Sequence, residues 1–306
     1  MWFRNLQLYR LGQAFGLSAE SLDNRLRKQA FQGCSRMDLA ASGWVSPLGR
    51  HGEQLVHAAN GYFMICSRKA EKIIPATVVK QLLDDRVAEV EATESRDVYR
   101  REKLRMKDEI MVDLLPRALT RNTDLFAYID TRAGYVVVDT PTQSRAEDLI
   151  SNIRSSLGSF KATPVQVKKS CMNTMTGWLK GERLPRGLEL GDECELAHPD
   201  PGDGIVNCKH QDLNAGEVRN HIKGGKFATR LAIRWKERLS CVLHDDLSIR
   251  RLRFEDVIRE AEGDTNDDDP ASRFDLDFSL MTLELADFLP QLFKAFGGEE
   301  TGEQDP

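Results

Sequence analysis

Asp245 and Asp246 stand side by side, and adjacent carboxylates are one way a chain holds a magnesium ion against a phosphate. Here they separate two strand-like runs, Leu239–His244 and Ile249–Phe254, where acidic residues serve as turn formers. His210, next to Lys209, has the chemistry of a general base, yet no nucleophile pattern accompanies it. Gly224-Gly225-Lys226 lacks the remainder of a phosphate loop. The sequence has no G-x-S-x-G elbow, no H-E-x-x-H and no histidines four apart. Nor does any lysine follow an acid by two residues, as in many metal-dependent nucleases. Its six cysteines are scattered without a C-x-x-C pair, so buried thiols in a reducing cytoplasm are expected. No catalytic residue, metal site or cofactor is expected.

What remains is electrostatic chemistry. The alternation of Leu231, Ile233 and Trp235 puts Arg230, Arg234 and Lys236 on the opposite face of a strand. Cations displayed this way neutralise phosphates. The net charge of −5 opposes a polyanionic partner only as a total. Four carboxylates, Glu299, Glu300, Glu303 and Asp305, lie in the last eight residues, and 255–269 is a second acidic group. For nucleic acid the local basic surface decides.

The elements that would carry such a surface come from a chain of 306 residues, 41% hydrophobic and 30% charged, long enough for two domains with cores of their own. No apolar run is long enough to span a membrane, and Met1-Trp2-Phe3-Arg4 leads into a strand-like segment instead of a signal peptide. The stretch from Arg68 to Arg121 organises the rest. Pro75 suits a first helical turn and Pro116 stops the run at Leu115. As one helix, 78–115 would span about 57 Å at 1.5 Å per residue, so part of it must protrude. Val79, Leu83, Val87 and Val90, then Met106, Ile110 and Leu114, recur at helical spacing, with a polar interval over 91–103. Either one long helix or two antiparallel helices turning near 93–97 fits.

Elsewhere 2–11 reads as a strand, 19–31 as a helix capped by Ser18 or Ser21, and 61–67 as a buried strand. A hairpin follows over 125–139 and a helix over 144–157. Beyond Pro164, strands are expected at 188–196 and 204–208, a helix at 215–223, and a meander at 227–234, 239–244 and 249–254. A mobile acidic loop at 262–272 precedes a closing helix at 283–296. The fold class is α+β. The expected division is a central α+β domain of residues 1–75 and 118–163 with an inserted helical arm, 76–117. A second α+β domain covers 164–296 and a disordered acidic tail 297–306.

Taken in order, a set of short motifs resembles the recombination-associated protein RdgC family over essentially the whole chain. They begin with Trp2-Phe3-Arg4-Asn5-Leu6, Tyr9-Arg10-Leu11, Arg68-Lys69, Glu71-Lys72-Ile73 and Pro75, and continue with Lys107-Asp108-Glu109 and Leu114-Leu115-Pro116-Arg117-Ala118. Later come Ala146-Glu147-Asp148, Leu157-Gly158-Ser159, Lys209 with Gln211-Asp212-Leu213, Gly225-Lys226, Arg251-Leu252 and Arg253-Phe254. The resemblance implies a cytoplasmic, nucleoid-associated DNA-binding protein without catalysis. It would be a ring-shaped homodimer that encircles double-stranded DNA with little sequence preference, also meets single-stranded DNA, and opposes RecA in recombination and replication restart. On that reading the DNA contacts are Arg68, Lys69, Lys72, Arg117, Arg121, Lys209, Gln211, Lys226 and Arg230, and the dimer contact includes Pro116 and Leu119. Two residues depart from the family pattern. Leu119 stands where an aromatic ring is common, and His210 where a second basic residue is usual. A protein-interaction scaffold and a DNA-processing enzyme with an unfamiliar site are the alternatives.

Overall fold

The computed structural model describes residues 1–200, 202, 204–255 and 269–300. In chain order the strands are β1 (Leu6–Leu11), β2 (Ala40–Val45), β3 (Val56–Ala59), β4 (Tyr62–Ile73), β5 (Leu119–Asp130), β6 (Tyr135–Asp139), β7 (Ala162–Pro164), β8 (Leu188–Ala197), β9 (Val206–Cys208), β10 (Phe227–Trp235), β11 (Leu239–His244) and β12 (Ile249–Phe254). The helices are α1 (Ala19–Leu26), α2 (Ala76–Glu94), α3 (Arg100–Leu114), α4 (Gln143–Leu157), α5 (Cys171–Lys180), α6 (Gly216–Lys223) and α7 (Pro270–Ala295). The protein is α+β. Its strands join one antiparallel sheet in the order β2-β4-β5-β6-β1-β12-β11-β10-β8-β9, with β3 on β4 and β7 on β1.

β1 is the seam of this sheet. It pairs with β6 along one edge, while its other edge is shared between β7 and a single register pair with β12, Leu6 to Ile249. So short a ladder would not hold two half-sheets together. α7 does, because its stripe of Phe278, Met281, Leu285, Phe288, Leu292 and Phe293 packs one core whose members come from both halves, Phe3, Tyr128 and Val137 as well as Leu231 and Trp235. Phe278 meets Tyr128 and Phe288 meets Trp235 with ring centroids 6.2 and 5.6 Å apart. On the reverse side α1 and α4 cover the first half only, through Leu22, Leu26, Leu149 and Ile153. Among the described residues one face of the sheet therefore carries helices on both halves, and the other on the first half only.

Several expectations are adjusted. The first strand begins at Leu6, because the N–H groups of Arg4 and Asn5 donate to the Asp139 carboxylate instead of a neighbouring strand. β4 runs on to Ile73, paired with β2 on one side and β5 on the other. Its polar residues 68–73 hid this by not alternating in hydrophobicity. α7 starts at Pro270, so residues 270–272 belong to a helix and not to the expected acidic loop. Asp269 caps it, accepting from the N–H groups of Ala271 and Ser272. The rest of that loop and the tail beyond Glu300 lie outside the described residues, while Glu300 N–H donates to the Gln166 carbonyl. α5, which carries Thr174, Thr176 and Gly177, has no counterpart in the sequence reading. Among the described residues no helix is long and apolar enough to cross a membrane.

The arm is a hairpin. α2 and α3 leave and rejoin the sheet where Ile73 pairs with Leu119 at the last register of β4 and β5. Ser95 ends α2 in the left-handed region, and Arg96 ties the turn by bonding both Glu94 and Glu102. Val87, Val98 and Met106 fill the seam between the helices.

Candidate nucleic-acid interface

The half-sheet face that no helix covers among the described residues is where cations collect. In β12, Ile249, Leu252 and Phe254 point into the core. Strict alternation would send Arg250 and Arg253, three apart, to opposite sides. They share a side because the strand is bulged: Arg250 lies opposite Val242 and Arg253 opposite Ser240, so β12 carries one residue more than β11 across that interval. The bulge is at Arg251, whose φ is 51°. The chain's first residues pin it, with Leu252 N–H donating to the Arg4 carbonyl at 2.8 Å and Arg251 N–H to Asn5 Oδ1 at 3.4 Å.

Two concavities open on this face and share Arg251 as a wall. The larger, about 1260 Å³, is lined by Arg4, Arg234, Arg251 and Arg253 with Glu189, Glu237 and Glu255, and the smaller, about 280 Å³, by Lys209, Arg230, Arg250 and Arg251 with Glu193 and Glu195. Some of this charge is answered locally. Arg230 Nη1 is 3.0 Å from Glu195 Oε2, and Arg251 pairs with Glu193, holding that carboxyl below its usual range. His244 forms part of the floor of the smaller concavity. Only 7% exposed, it is directly across from Arg230 in the β10–β11 register. Burial, followed by the charges of Arg250 and Arg230, pushes its pKa down from 6.5 to about 4. Arg250 Nε is buried with no hydrogen-bond acceptor. The Arg250 side chain lines the smaller concavity, and a guanidinium there is complementary to a phosphate oxygen.

Of the residues expected from sequence, Lys209 and Arg230 meet here. Gln211 instead donates to Glu217 Oε2 at 2.8 Å, and Lys226 bonds the Gly204 carbonyl; neither lines these concavities. His210 lies 3.1 Å from Asp192. At the arm root the expected cations divide between the two faces of the β4–β5 ladder. Lys69 and Arg121 line one recess and both pair with Glu71, at 2.7 and 3.2 Å. Arg68 and Lys72 alternate to the other side, where Arg68 is bound by both oxygens of Asp124 at 2.6 and 2.7 Å. Arg117 is exposed beyond α3, as is Pro116, and Leu119 is 77% exposed.

Arg4, Arg250, Arg251, Arg253 and His244 were not among the expected contacts. Three arginines in four positions between Ile249 and Phe254 were the visible signal, but alternation alone assigns them to different faces, and the bulge is not written in the residue types. The Asp245-Asp246 pair is built as a turn, with Ser248 N–H donating to Asp246 Oδ1 at 2.9 Å. Among the described residues no group of three or more His, Cys, Asp or Glu could hold a metal ion.

Comparison with known proteins agrees with this architecture in extent. A family model described as "Putative exonuclease, RdgC" matches residues 1–299. A recombination-associated protein RdgC of Aeromonas hydrophila is 44% identical over 300 residues, covering 98% of this chain and 99% of the relative. Relatives of the same name from Yersinia pestis and Yersinia pseudotuberculosis are 42% identical over 299 residues, again with 98% and 99% covered.

Proposed function

This chain belongs to the RdgC family, and from that premise we propose that it binds DNA through the phosphate backbone, without catalysis and with little sequence preference. The observation that carries the reading is the bulged strand, which sets Arg250, Arg251 and Arg253 together on a sheet face beside Lys209 and Arg230. Arginine forks on a broad open surface suit phosphates, which repeat along any sequence. A groove-reading helix is not required.

In this proposal two protomers close a ring around duplex DNA, bringing the arginine faces to its backbone. The exposed Leu119 and Pro116, at the foot of the arm, contribute to closure. Occupancy of the duplex then opposes RecA, in keeping with the recombination-associated name of the relatives. The protein would reside with the nucleoid. The arm would be one structural unit and the body would divide near Pro164, with β1 and α7 bridging the division.

Salt dependence tests this. For a protein neutralising roughly 6 phosphates, log affinity falls against log salt with a slope near −5, alike for unrelated duplexes. A slope near −1, or strong preference for one sequence, would exclude a backbone mechanism. The family model's description favours a second reading, a nuclease. End-labelled duplex incubated with the protein and Mg²⁺ should stay intact; shortening that follows protein concentration would establish the nuclease.

A further inference from the structure

On the other side of the sheet a cleft of about 1100 Å³ lies between the loop after α5 and the last turn of α7. Lys169, Arg183, Arg186 and Lys294 line it, all exposed, and among the described lining residues Glu182 is the one carboxylate. The arginine face is compensated in part. There Arg230 and Arg251 each hold a glutamate. Here none of the four cations has an ion pair among the described residues.

The scaffold under these cations is fixed. Lys169 N–H donates to the Phe296 carbonyl at 2.9 Å, tying its segment to the end of α7. The loop carrying Arg183 and Arg186 is closed at both ends, by Glu182 N–H to the Gly177 carbonyl at 3.0 Å and Leu188 N–H to the Pro185 carbonyl at 3.1 Å. Like charges lining one cleft repel each other, a cost that a polyanion arriving from solvent relieves. The floor decides which polyanion. Trp178 is 4% exposed and packs against Phe296, so no ring is presented for base stacking, nor is there a deep apolar pocket for a peptide anchor. Polar groups of Asn173, Thr174 and Gln291 complete the lining.

We propose that this cleft is a second site for the phosphodiester backbone of nucleic acid, separate from the arginine face and on the opposite side of the sheet. It rests on the nucleic-acid reading above and extends it: one protein would hold two DNA segments at once. The test captures a fluorescent duplex on beads that carry a second, immobilised duplex, using the full-length protein. In parallel, anisotropy measures affinity for one duplex. The triple variant Arg183→Ala/Arg186→Ala/Lys294→Ala changes only exposed side chains and should keep single-duplex affinity within about twofold while capture falls about tenfold or more, since about three phosphate contacts are lost from the second site only. The variant Arg183→Lys/Arg186→Lys, keeping charge, should retain most of the capture. Arg250→Ala/Arg253→Ala should lose both signals. Capture by the triple variant equal to the parent, or no capture by a parent that binds single duplexes well, overturns the second site and leaves the first standing. A parent that binds no duplex overturns both. Competition of capture by poly-glutamate at equal charge, better than by duplex, would reassign the cleft to acidic protein segments.

Discussion

The arm root and the open half-sheet are both rich in cations, yet they dispose of them differently. At the root, two long antiparallel strands alternate without interruption, so Lys69 and Arg121 go to one side, where Glu71 engages both, and Arg68 and Lys72 to the other, where Asp124 engages Arg68. In the open half-sheet, one extra residue lets Arg250 and Arg253 share a side and adds Arg251 between them. Count alone does not make an interface. Phase along the strand and the supply of neighbouring carboxylates determine how much positive field reaches solvent.

Reversing charge is the severest test of that difference. Arg250→Glu/Arg253→Glu should weaken duplex binding by about 1000-fold, whereas Lys69→Glu/Arg121→Glu should cost less than about fivefold, because those cations are already engaged. Anisotropy titrations at one fixed salt would show it. Equal losses from the two doubles would erase the distinction drawn between the regions.

His244 sharpens the comparison through pH. Its folded pKa is depressed, to about 4, so the unfolded chain binds the extra proton between about pH 6.5 and 4. Neutral His244 costs nothing above that window, and stability is lost as pH falls through it, by something on the order of 2 kcal/mol. His244→Gln should flatten the urea midpoint between pH 6.5 and 4.5. An unchanged pH profile would mean that burial and the neighbouring arginines do not hold the imidazole neutral.

At the root the expected effect is on association. Leu119→Asp should shift a dimer toward monomer in sedimentation, and Leu119→Phe should tighten it by about 1 kcal/mol. The smallest effect is at the bulge. Arg251→Gly relieves a left-handed residue and so should hold or raise the melting temperature, while flattening the salt slope by about 1. Should Arg68→Ala flatten it as much, Asp124 is not holding that guanidinium back.

How far the sequence could be read follows from the same physics. The arm was visible because Pro75, Pro116 and the Val79-to-Leu114 stripe are local signals, and Ser95 in αL resolves hairpin against single helix. The β10–β11–β12 meander was visible by alternation. The bulge depends on pairing between strands, and no single strand announces it. The start of α7 could have been read: Phe274, Phe278, Met281 and Leu285 already fall at helical spacing, but the neighbouring acids suggested a loop instead. Lys209 and Arg230 were placed together by the fold; Gln211 and Lys226 were drawn away by Glu217 and the Gly204 carbonyl, partners that sequence order does not reveal.

The position of α7 in the chain has a consequence for synthesis. The core beneath α1 and α4 is complete once residue 160 has emerged, since its members run from Tyr9 to Phe160. The larger core has to wait for Phe278 to Phe296. Until then Phe3, Tyr128 and Val137 present an uncovered apolar surface beside an already folded layer. A ribosome that stalls before residue 270 would leave half a molecule folded and its other face exposed, so this last helix is the step that turns a nascent chain into a protein able to carry charge on one side and apolar packing on the other.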